Sequence, residues 1–310
     1  MFAGDSMGAI DLRLLHVLDG SMASAVEELG YDNKSTCAWS SGANLTHPDL
    51  VVKAHLSFID AGADIILTNT YQANIKRITQ KSGSEKAMEV IKNGADLARK
   101  AVDMSKKHVY VVGSIGPYAT YLGDCSEYTA GYLEDKNFDR KLIKENFETQ
   151  ANALYQNGVR VFAFETIPSI VEAVYAKEVL EEMGCDGYIS VVCKDDKHLV
   201  NGDKFSELVK NIADSSHVKM IGINCTLPEH IKGLIKSGLP FAKNKGFVVY
   251  PNSGERFDGD SKTFYGSPEI DKIVGELEDW IQLGVRVVGG CCRVKPDDIR
   301  LIANEMNKLN

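Results

Sequence analysis

The sequence predicts an α/β fold, a (β/α)8 TIM barrel, as a single domain over residues 1–310. Short β-branched or apolar runs alternate with longer helical patterns along the whole chain, and eight such pairs fit this barrel. No linker or low-complexity stretch divides the sequence, and 44% hydrophobic residues supply one large core. A doubly wound open sheet is the alternative, although no G-x-G-x-x-G turn follows the first strand as in a dinucleotide-binding fold.

Each predicted strand is a short apolar or β-branched run. In chain order the strands are 14–19 (LLHVLD), 64–70 (DIILTNT), 108–115 (HVYVVGSI), 159–166 (VRVFAFET), 187–193 (GYISVVC), 219–226 (KMIGINCT), 246–252 (GFVVYPN) and 286–292 (RVVGGCC). Helical patterns lie at 48–61, 85–106, 138–157, 168–183, 204–214, 228–242, 269–283 and 296–308. Because a parallel connection needs a crossover of a dozen or more residues, usually a helix, this alternation predicts parallel strands.

Charge and composition exclude several kinds of partner. The formal net charge of −8 argues against nucleic acid or an anionic membrane surface, but it allows a small zwitterionic substrate. Glu165 and Pro168 interrupt the longest apolar stretch, so no transmembrane helix is expected. Acidic residues within 1–18 argue against a secretion signal, and seven cysteines form a poor disulfide framework. We expect a cytoplasmic protein with reduced thiols, as a monomer or small homo-oligomer.

Three cysteines end two of the predicted strands. Cys225 closes one run, and Cys291 and Cys292 close another after Gly289 and Gly290. Three thiolates with one open position are typical of catalytic zinc. Neighbouring strand residues point to opposite faces, so the strand must end or bulge before both sulfurs can reach one metal, and the two glycines permit this. Three buried cysteines acting as small hydrophobes, or a vicinal disulfide, are the alternatives. Among the other cysteines, Cys193 also ends a strand and is the competing ligand.

Other polar residues share the carboxyl ends of the strands, which meet on the active-site face of a barrel. Asp19 could pair with a substrate ammonium, while Gly20 and Ser21 open a helix whose N–H groups could bind a carboxylate. Glu165 ends an apolar strand and therefore needs a partner, for which a substrate ammonium would serve. The alternatives are that Asp19 or Ser21 caps the helix and that Glu165 forms an internal salt bridge.

Two loops carry further candidates. One follows the third strand and contains Tyr121, Glu127 and Tyr128. The other follows the seventh strand, contains Asn252 and Ser253, and carries Phe257 and Tyr265 further on. The run Thr70-Tyr71-Gln72, at the end of the second strand, has similar standing. Aromatic and acidic loops of this kind could surround a cationic group on a methyl donor.

These residues together resemble a known family, over about 15–301. The chain is similar to the homocysteine S-methyltransferases, zinc-dependent barrel enzymes related to betaine–homocysteine methyltransferase and to the homocysteine domain of cobalamin-dependent methionine synthase. The motifs that carry the resemblance are Asp19-Gly20-Ser21, Thr68-Asn69-Thr70-Tyr71-Gln72-Ala73-Asn74, Gly113-Ser114-Ile115-Gly116-Pro117, Phe164-Glu165-Thr166, Gly222-Ile223-Asn224-Cys225 and Gly289-Gly290-Cys291-Cys292. The first motif is usually Asp-Gly-Gly, and here Ser21 replaces the second glycine.

The resemblance implies a ligand set and a reaction. Cys225, Cys291 and Cys292 would bind Zn(II), and Asp19 and Glu165 would hold the amino group of homocysteine. Gly20, Ser21, Thr70, Asn252 and Ser253 would complete the substrate site. The methyl group of S-methylmethionine or S-adenosylmethionine would pass to the metal-activated thiol of homocysteine, forming methionine, with no protein side chain as general base.

Two alternatives to this reading stay open. A betaine-dependent homocysteine methyltransferase would use the same acceptor with another donor. A barrel with a purely structural zinc would act as a binding protein. Some relatives methylate selenocysteine or selenohomocysteine, so the acceptor could also carry selenium.

Overall fold

The computed structural model describes residues 10–258 and 263–310. Eight parallel strands form the main sheet of this described part: β1 (His16–Val17), β2 (Ile65–Leu67), β3 (Tyr110–Ile115), β4 (Val161–Ile167), β5 (Asp186–Val191), β6 (Val218–Asn224), β7 (Gly246–Tyr250) and β10 (Val285–Val288). An antiparallel hairpin of β8 (Arg256–Asp258) and β9 (Thr263–Tyr265) precedes β10 in the sequence. Residues 1–9, which the predicted domain and the secretion-signal argument include, lie outside the described residues.

The sheet closes into a barrel. Its strand order is β1-β10-β7-β6-β5-β4-β3-β2, and a parallel bridge between Leu18 and Ile65 joins the last strand to the first. The predicted (β/α)8 barrel is therefore confirmed, and the open-sheet alternative is wrong because β1 and β2 are themselves neighbours.

The helices surround the barrel. They are α1 (Met22–Glu28), α2 (Ala43–Thr46), α3 (Pro48–Ala61), α4 (Ile75–Ser82), α5 (Ser84–Ser105), α6 (Ala119–Leu122), α7 (Lys141–Gln156), α8 (Ile170–Met183), α9 (Phe205–Ile212), α10 (Pro228–Gly238), α11 (Ile270–Gln282) and α12 (Pro296–Leu309). All eight predicted helices are present. Within the described chain, no helix combines the length and apolar character that crossing a bilayer requires.

The apolar core has two layers, as the alternation of side chains along a strand requires. A small inner cluster fills the barrel with residues such as Val112, Met220 and Val248. A larger outer cluster lies between the strands and the helices and includes Phe58 and Trp280, both fully buried.

Several elements of the loops were not predicted from the sequence. The helices α2, α4 and α6 and the β8–β9 hairpin are short, so they give little periodic signal. The helix α4 begins after Asn74, whose side chain accepts a hydrogen bond from the backbone N–H of Arg77 at 3.0 Å. The last predicted strands are too long by a few residues, because the chain leaves the sheet at Tyr250 and Val288 to build the site.

Candidate metal centre and substrate pocket

A cavity of about 440 Å³ opens at the carboxyl ends of the strands. The strand ends bring together residues that lie far apart in the sequence, as expected for a barrel. Of the predicted site residues, it is lined by Asp19, Gly20, Ser21, Glu165, Cys225, Cys291 and Cys292. One cavity therefore holds the proposed metal ligands and the proposed amino-acid contacts.

The three cysteine sulfurs form a compact cluster in this cavity. All three Sγ atoms lie within 4.8 Å of one another, and those of Cys225 and Cys292 are 3.7 Å apart. Two thiolates bound to one tetrahedral zinc at about 2.3 Å would be about 3.8 Å apart. The donor set, and the spacing of Cys225 and Cys292, thus fit a soft metal ion with one coordination position left for another ligand.

The structure joins Cys225 and Cys291 as a disulfide, while Cys292 is free. The expectation that all thiols are reduced is wrong for this pair. The two Cα atoms are 5.4 Å apart, a separation that suits a disulfide as well as a shared metal. Because a metal binds the thiolate form, the disulfide and the metal exclude each other, and the metal-binding state is the reduced one.

The backbone before the cysteine pair explains how both sulfurs reach one point. β10 ends at Val288, so the pair lies outside the regular strand. A Cβ atom on Gly289 would lie 2.6 Å from the carbonyl oxygen of Asp19, and one on Gly290 would overlap the side chain of Val294. Both glycines are therefore needed for close packing of the chain, and neither has a positive φ.

Cys225 lies at the end of β6 in the left-handed region, with φ of 47°. A residue without glycine's freedom adopts this conformation only where its surroundings hold it, and such strain is common at functional sites. Asn224, the residue before it, is fully buried and forms hydrogen bonds with β4 and β5. Its side chain accepts hydrogen bonds from the backbone N–H of Thr166 at 2.9 Å and from the hydroxyl of Ser190 at 2.8 Å. This amide fixes the strand end that presents the sulfur of Cys225.

Tyr128 covers the sulfur cluster from the loop after β3. Its hydroxyl lies 3.9 Å from the Sγ of Cys225 and 3.8 Å from the Sγ of Cys292. Burial is the main cause that raises the pKa of the Cys292 thiol to about 11; the hydrogen bond with Tyr128 acts in the opposite direction, and the charges of Glu127 and Glu165 add to the rise. A cation bound at the sulfur atoms would favour the thiolate form.

Asp19 is the first of two buried carboxyls in the cavity, and only 2% of it is exposed. Its Oδ2 accepts a hydrogen bond from the backbone N–H of Leu67 at 2.9 Å. Burial raises the pKa of Asp19 well above its usual value, and the charge of Glu165 raises it further. Gly20 beside it allows close packing, since a Cβ there would lie 2.6 Å from the carbonyl oxygen of Val294.

Glu165 is the second buried carboxyl, and it accepts a hydrogen bond from the hydroxyl of Ser114. Burial raises its pKa to about 7, and the hydrogen bond from Ser114 acts in the opposite direction. Across residues 10–258 and 263–310, no ion pair joins Asp19 or Glu165 to a basic side chain. The internal salt bridge considered for Glu165 is therefore absent from the described structure, and both carboxyls line the cavity without an ion-pair partner.

The family can now be assigned. The model of the homocysteine S-methyltransferase family matches residues 16–306, which is nearly the whole barrel. The chain belongs to the homocysteine S-methyltransferase family.

Relatives and solved structures agree with this assignment. Homocysteine S-methyltransferase 2 of Zea mays is 35% identical over 308 residues, covering 94% of this chain and 90% of that protein. Betaine-homocysteine S-methyltransferase of Drosophila melanogaster is 33% identical over 294 residues, covering 88% of each chain. The metallated crystal form of the Escherichia coli homocysteine methyltransferase MmuM is 28% identical, with a TM-score of 0.80 over 94% of this chain and 96% of that one.

Three of the substrate residues predicted for this homocysteine S-methyltransferase do not line the cavity. Thr70 is fully buried, and its hydroxyl donates a hydrogen bond to the carbonyl oxygen of Ser114 at 2.7 Å. Ser253 is also buried, and its backbone N–H donates to the carbonyl oxygen of Cys292 at 3.0 Å. Asn252 lies beside it and is partly buried. The contacts of Thr70 and Ser253 hold the backbone next to the site. Direct contact of the three residues with the substrate stays a prediction, and none of them lines the cavity.

Trp39, Tyr71, Ser114 and Thr166 line the cavity without an individual role assigned from the sequence. Glu127 and Tyr128, from the loop that the sequence offered as a surround for the methyl donor, line it too. Ser21 lines it as well, and its hydroxyl also caps α1 by accepting from the backbone N–H of Ser24 at 3.2 Å, as the alternative reading expected. The sequence indicated Glu127 and Tyr128 only as members of an acidic and aromatic loop. It did not indicate which side chains of that loop point into the cavity.

Proposed function

We propose that this homocysteine S-methyltransferase takes its methyl group from a sulfonium donor, S-methylmethionine or S-adenosylmethionine, at a site where Cys225, Cys291 and Cys292 hold Zn(II). The observation that carries the proposal is the position of three sulfur atoms beside two buried carboxyls in one cavity. A metal site alone would fit many functions. The neighbouring carboxyls add acceptors for the ammonium group of a substrate that is both an amino acid and a thiol.

The proposed roles of the residues follow from their surroundings. Asp19 and Glu165 bind the ammonium group of homocysteine, because each is a buried acid without a basic partner in the described chain. The turn of Gly20 and Ser21 lies next to this pair and fits the carboxylate end of the substrate. With both ends of the amino acid held, its side-chain sulfur is directed towards the cysteine cluster.

The chemistry that a zinc ion supplies at such a site is to keep a substrate thiol ionised and in place at neutral pH, where a free thiol with a pKa of about 8.5 is mostly protonated. The protein contributes position and charge. Three cysteine thiolates exceed the charge of Zn(II) by one, which favours reactivity of an added thiolate over tight retention. The homocysteine sulfur attacks the sulfonium methyl group directly, and the bond from that methyl group to the donor sulfur breaks as the new one forms. The donor leaves as a neutral thioether, which is a second methionine when the donor is S-methylmethionine, and no general base from the protein is needed.

The experiment is a methyl-transfer assay on reduced, zinc-loaded protein. Homocysteine is paired in turn with S-methylmethionine, S-adenosylmethionine and betaine, and methionine is quantified. We expect methionine from at least one sulfonium donor and little from betaine. Product from betaine alone would overturn the proposed donor class, and no product from any donor would overturn the proposed reaction.

The metal ligands are tested with matched variants. Cys225→Ser, Cys291→Ser and Cys292→Ser should each lower the zinc content towards zero and abolish transfer. Cys185→Ala is the control, because Cys185 is also a buried cysteine but does not line the cavity. Full zinc content in all three serine variants would refute the ligand assignment.

A further inference from the structure

Glu127 is a third buried acid in the cavity, and neither the metal nor the amino group of homocysteine accounts for it. It lies in a 3-10 turn, Ser126–Tyr128, of the loop after β3, and only 6% of it is exposed. Burial raises the pKa of its carboxyl to about 7, and the nearby Asp124 raises it further. A hydrogen bond from the hydroxyl of Tyr71 acts in the opposite direction on this pKa. In the part of the chain that the structure describes, no lysine, arginine or histidine contributes to the shift, and Glu127, Tyr71 and Tyr128 all line the cavity.

The protein holds this loop firmly against the barrel. The guanidinium of Arg77 donates to the carbonyl oxygens of Leu122 at 2.5 Å and of Cys37 at 3.2 Å. On the far side, Glu172 accepts hydrogen bonds from the backbone N–H of Tyr118 at 3.0 Å and from the hydroxyl of Tyr132. The inward position of Glu127 is thus set by contacts at both ends of the loop.

The placement of Glu127 relates it to the reacting sulfur. Its neighbour Tyr128 places a hydroxyl 3.8 Å from the Sγ of Cys292, and Glu127 lines the same cavity as the three cysteines. A methyl donor that reaches the sulfur cluster therefore enters the cavity that this carboxyl also lines. A positive centre there is attracted by the carboxylate of Glu127, whereas a carboxylate attached close to that centre is repelled.

Counting charges points to the donor. Homocysteine is a zwitterion with one ammonium group. Asp19 and Glu165 together are enough to bind that group, which leaves Glu127 without a partner on homocysteine. Three cysteine thiolates, one substrate thiolate and a divalent ion leave the metal site with an excess of two negative charges. Two basic residues also line the cavity: Arg293 is paired with Glu27 and Glu255, and Lys34 is exposed to solvent. Near the metal ligands, a donor that brings a net positive charge is therefore favoured over one that brings none.

We propose that Glu127 is a specificity-determining residue that supplies the counter-charge for the sulfonium centre of the methyl donor. It selects donors whose carboxylate is distant from the sulfonium and balanced by their own ammonium, as in S-methylmethionine. It disfavours donors with a carboxylate one carbon from the cationic centre, as in betaine or dimethylsulfonioacetate. This inference rests on the proposed function, since it concerns the donor of the same reaction.

The test compares Glu127→Gln with wild type and with Glu134→Gln, which removes a charge from an exposed residue of the same loop. Reduced, zinc-loaded protein is assayed with saturating homocysteine and either S-methylmethionine or dimethylsulfonioacetate, two sulfonium donors of different net charge. In Glu127→Gln we expect the KM for S-methylmethionine to rise at least tenfold, which corresponds to about 1.4 kcal/mol. The kcat/KM ratio of the two donors should shift at least tenfold towards dimethylsulfonioacetate, and Glu134→Gln should leave it unchanged.

Zinc content and homocysteine affinity provide the readout that separates a donor role from a structural one. Both should equal wild type in Glu127→Gln. A donor ratio within twofold of wild type would overturn the inference, and so would equal losses of zinc, homocysteine and both donors. If wild type transfers no methyl group, the proposed function fails. Calorimetric binding of S-methylmethionine to wild type and Glu127→Gln then decides the inference, because it needs no turnover: equal affinities, or no binding to wild type, overturn it.

Discussion

Replacing Glu172 by glutamine should change the pH dependence of stability in a calculable way. Glu172 is fully buried in the first turn of α8, where it anchors the loop that carries Glu127 and Tyr128. Burial raises its pKa from 4.5 to about 7, with the hydrogen bonds from Tyr132 and Tyr118 acting in the opposite direction. The folded protein therefore keeps a proton on this residue that the unfolded chain has already lost.

The sign and size follow from linkage. Between pH 4.5 and 7 the folded state binds more protons at this residue, so the free energy of unfolding falls as the pH rises. One pKa unit corresponds to about 1.36 kcal/mol, so the full effect is about 3 kcal/mol, of which about 2–3 kcal/mol appears between pH 5 and pH 8. A glutamine does not ionise, and Glu172→Gln should lack this part of the decline.

The assay is urea unfolding of reduced, metal-free protein at pH 5 and at pH 8. Wild type should lose more stability across this interval than Glu172→Gln, by about 2–3 kcal/mol. Glu181→Gln is the control, because Glu181 is exposed on the same helix, and it should behave as wild type. If Glu172→Gln shows the same decline as wild type, the carboxyl is ionised in the fold and the reasoning from its burial is refuted.

Three further predictions concern the site. Glu165→Gln should retain zinc but bind homocysteine about ten- to a hundredfold more weakly by calorimetry, since a charge-assisted contact is lost; unchanged affinity would refute its role. Gly290→Ala should destabilise the protein by about 1–3 kcal/mol in urea unfolding through overpacking, whereas Gly275→Ala, with open space around it on α11, should be neutral or slightly stabilising; equal effects would contradict the packing argument. Zinc uptake, measured by metal analysis, should require prior reduction because Cys225 and Cys291 are joined, and equal uptake without reductant would count against this.

The barrel could be predicted from the sequence because its signal is local. Eight apolar runs separated by helical patterns indicate parallel strands, and the carboxyl ends of those strands must share one face. This logic placed Asp19, Glu165, Cys225 and the cysteine pair together, and the structure has all of them in one cavity. The same argument placed Thr70 in the site, because it ends the predicted second strand. In the structure its hydroxyl donates a hydrogen bond to the backbone carbonyl of Ser114 on β3 instead.

What the sequence did not reveal depends on long-range packing. Glu127 and Tyr128 belong to a loop with no repeating pattern, and its position over the cysteines depends on distant residues such as Arg77 and Glu172. The two glycines before the cysteine pair were expected to permit a distorted backbone. They instead leave space for segments that pack against them, Leu18 and Asp19 against Gly289 and Val294 against Gly290. This requirement can be recognised only in the folded structure.

The central claim is that the three cysteines hold a zinc ion whose remaining position is taken by the substrate sulfur. X-ray absorption at the zinc edge of reduced, zinc-loaded protein tests this most directly, because it counts sulfur neighbours without turnover. We expect one zinc per chain with three sulfur ligands, and a fourth sulfur at about 2.3 Å when homocysteine is added. Four protein ligands that do not change with homocysteine would contradict the claim and would indicate a structural zinc.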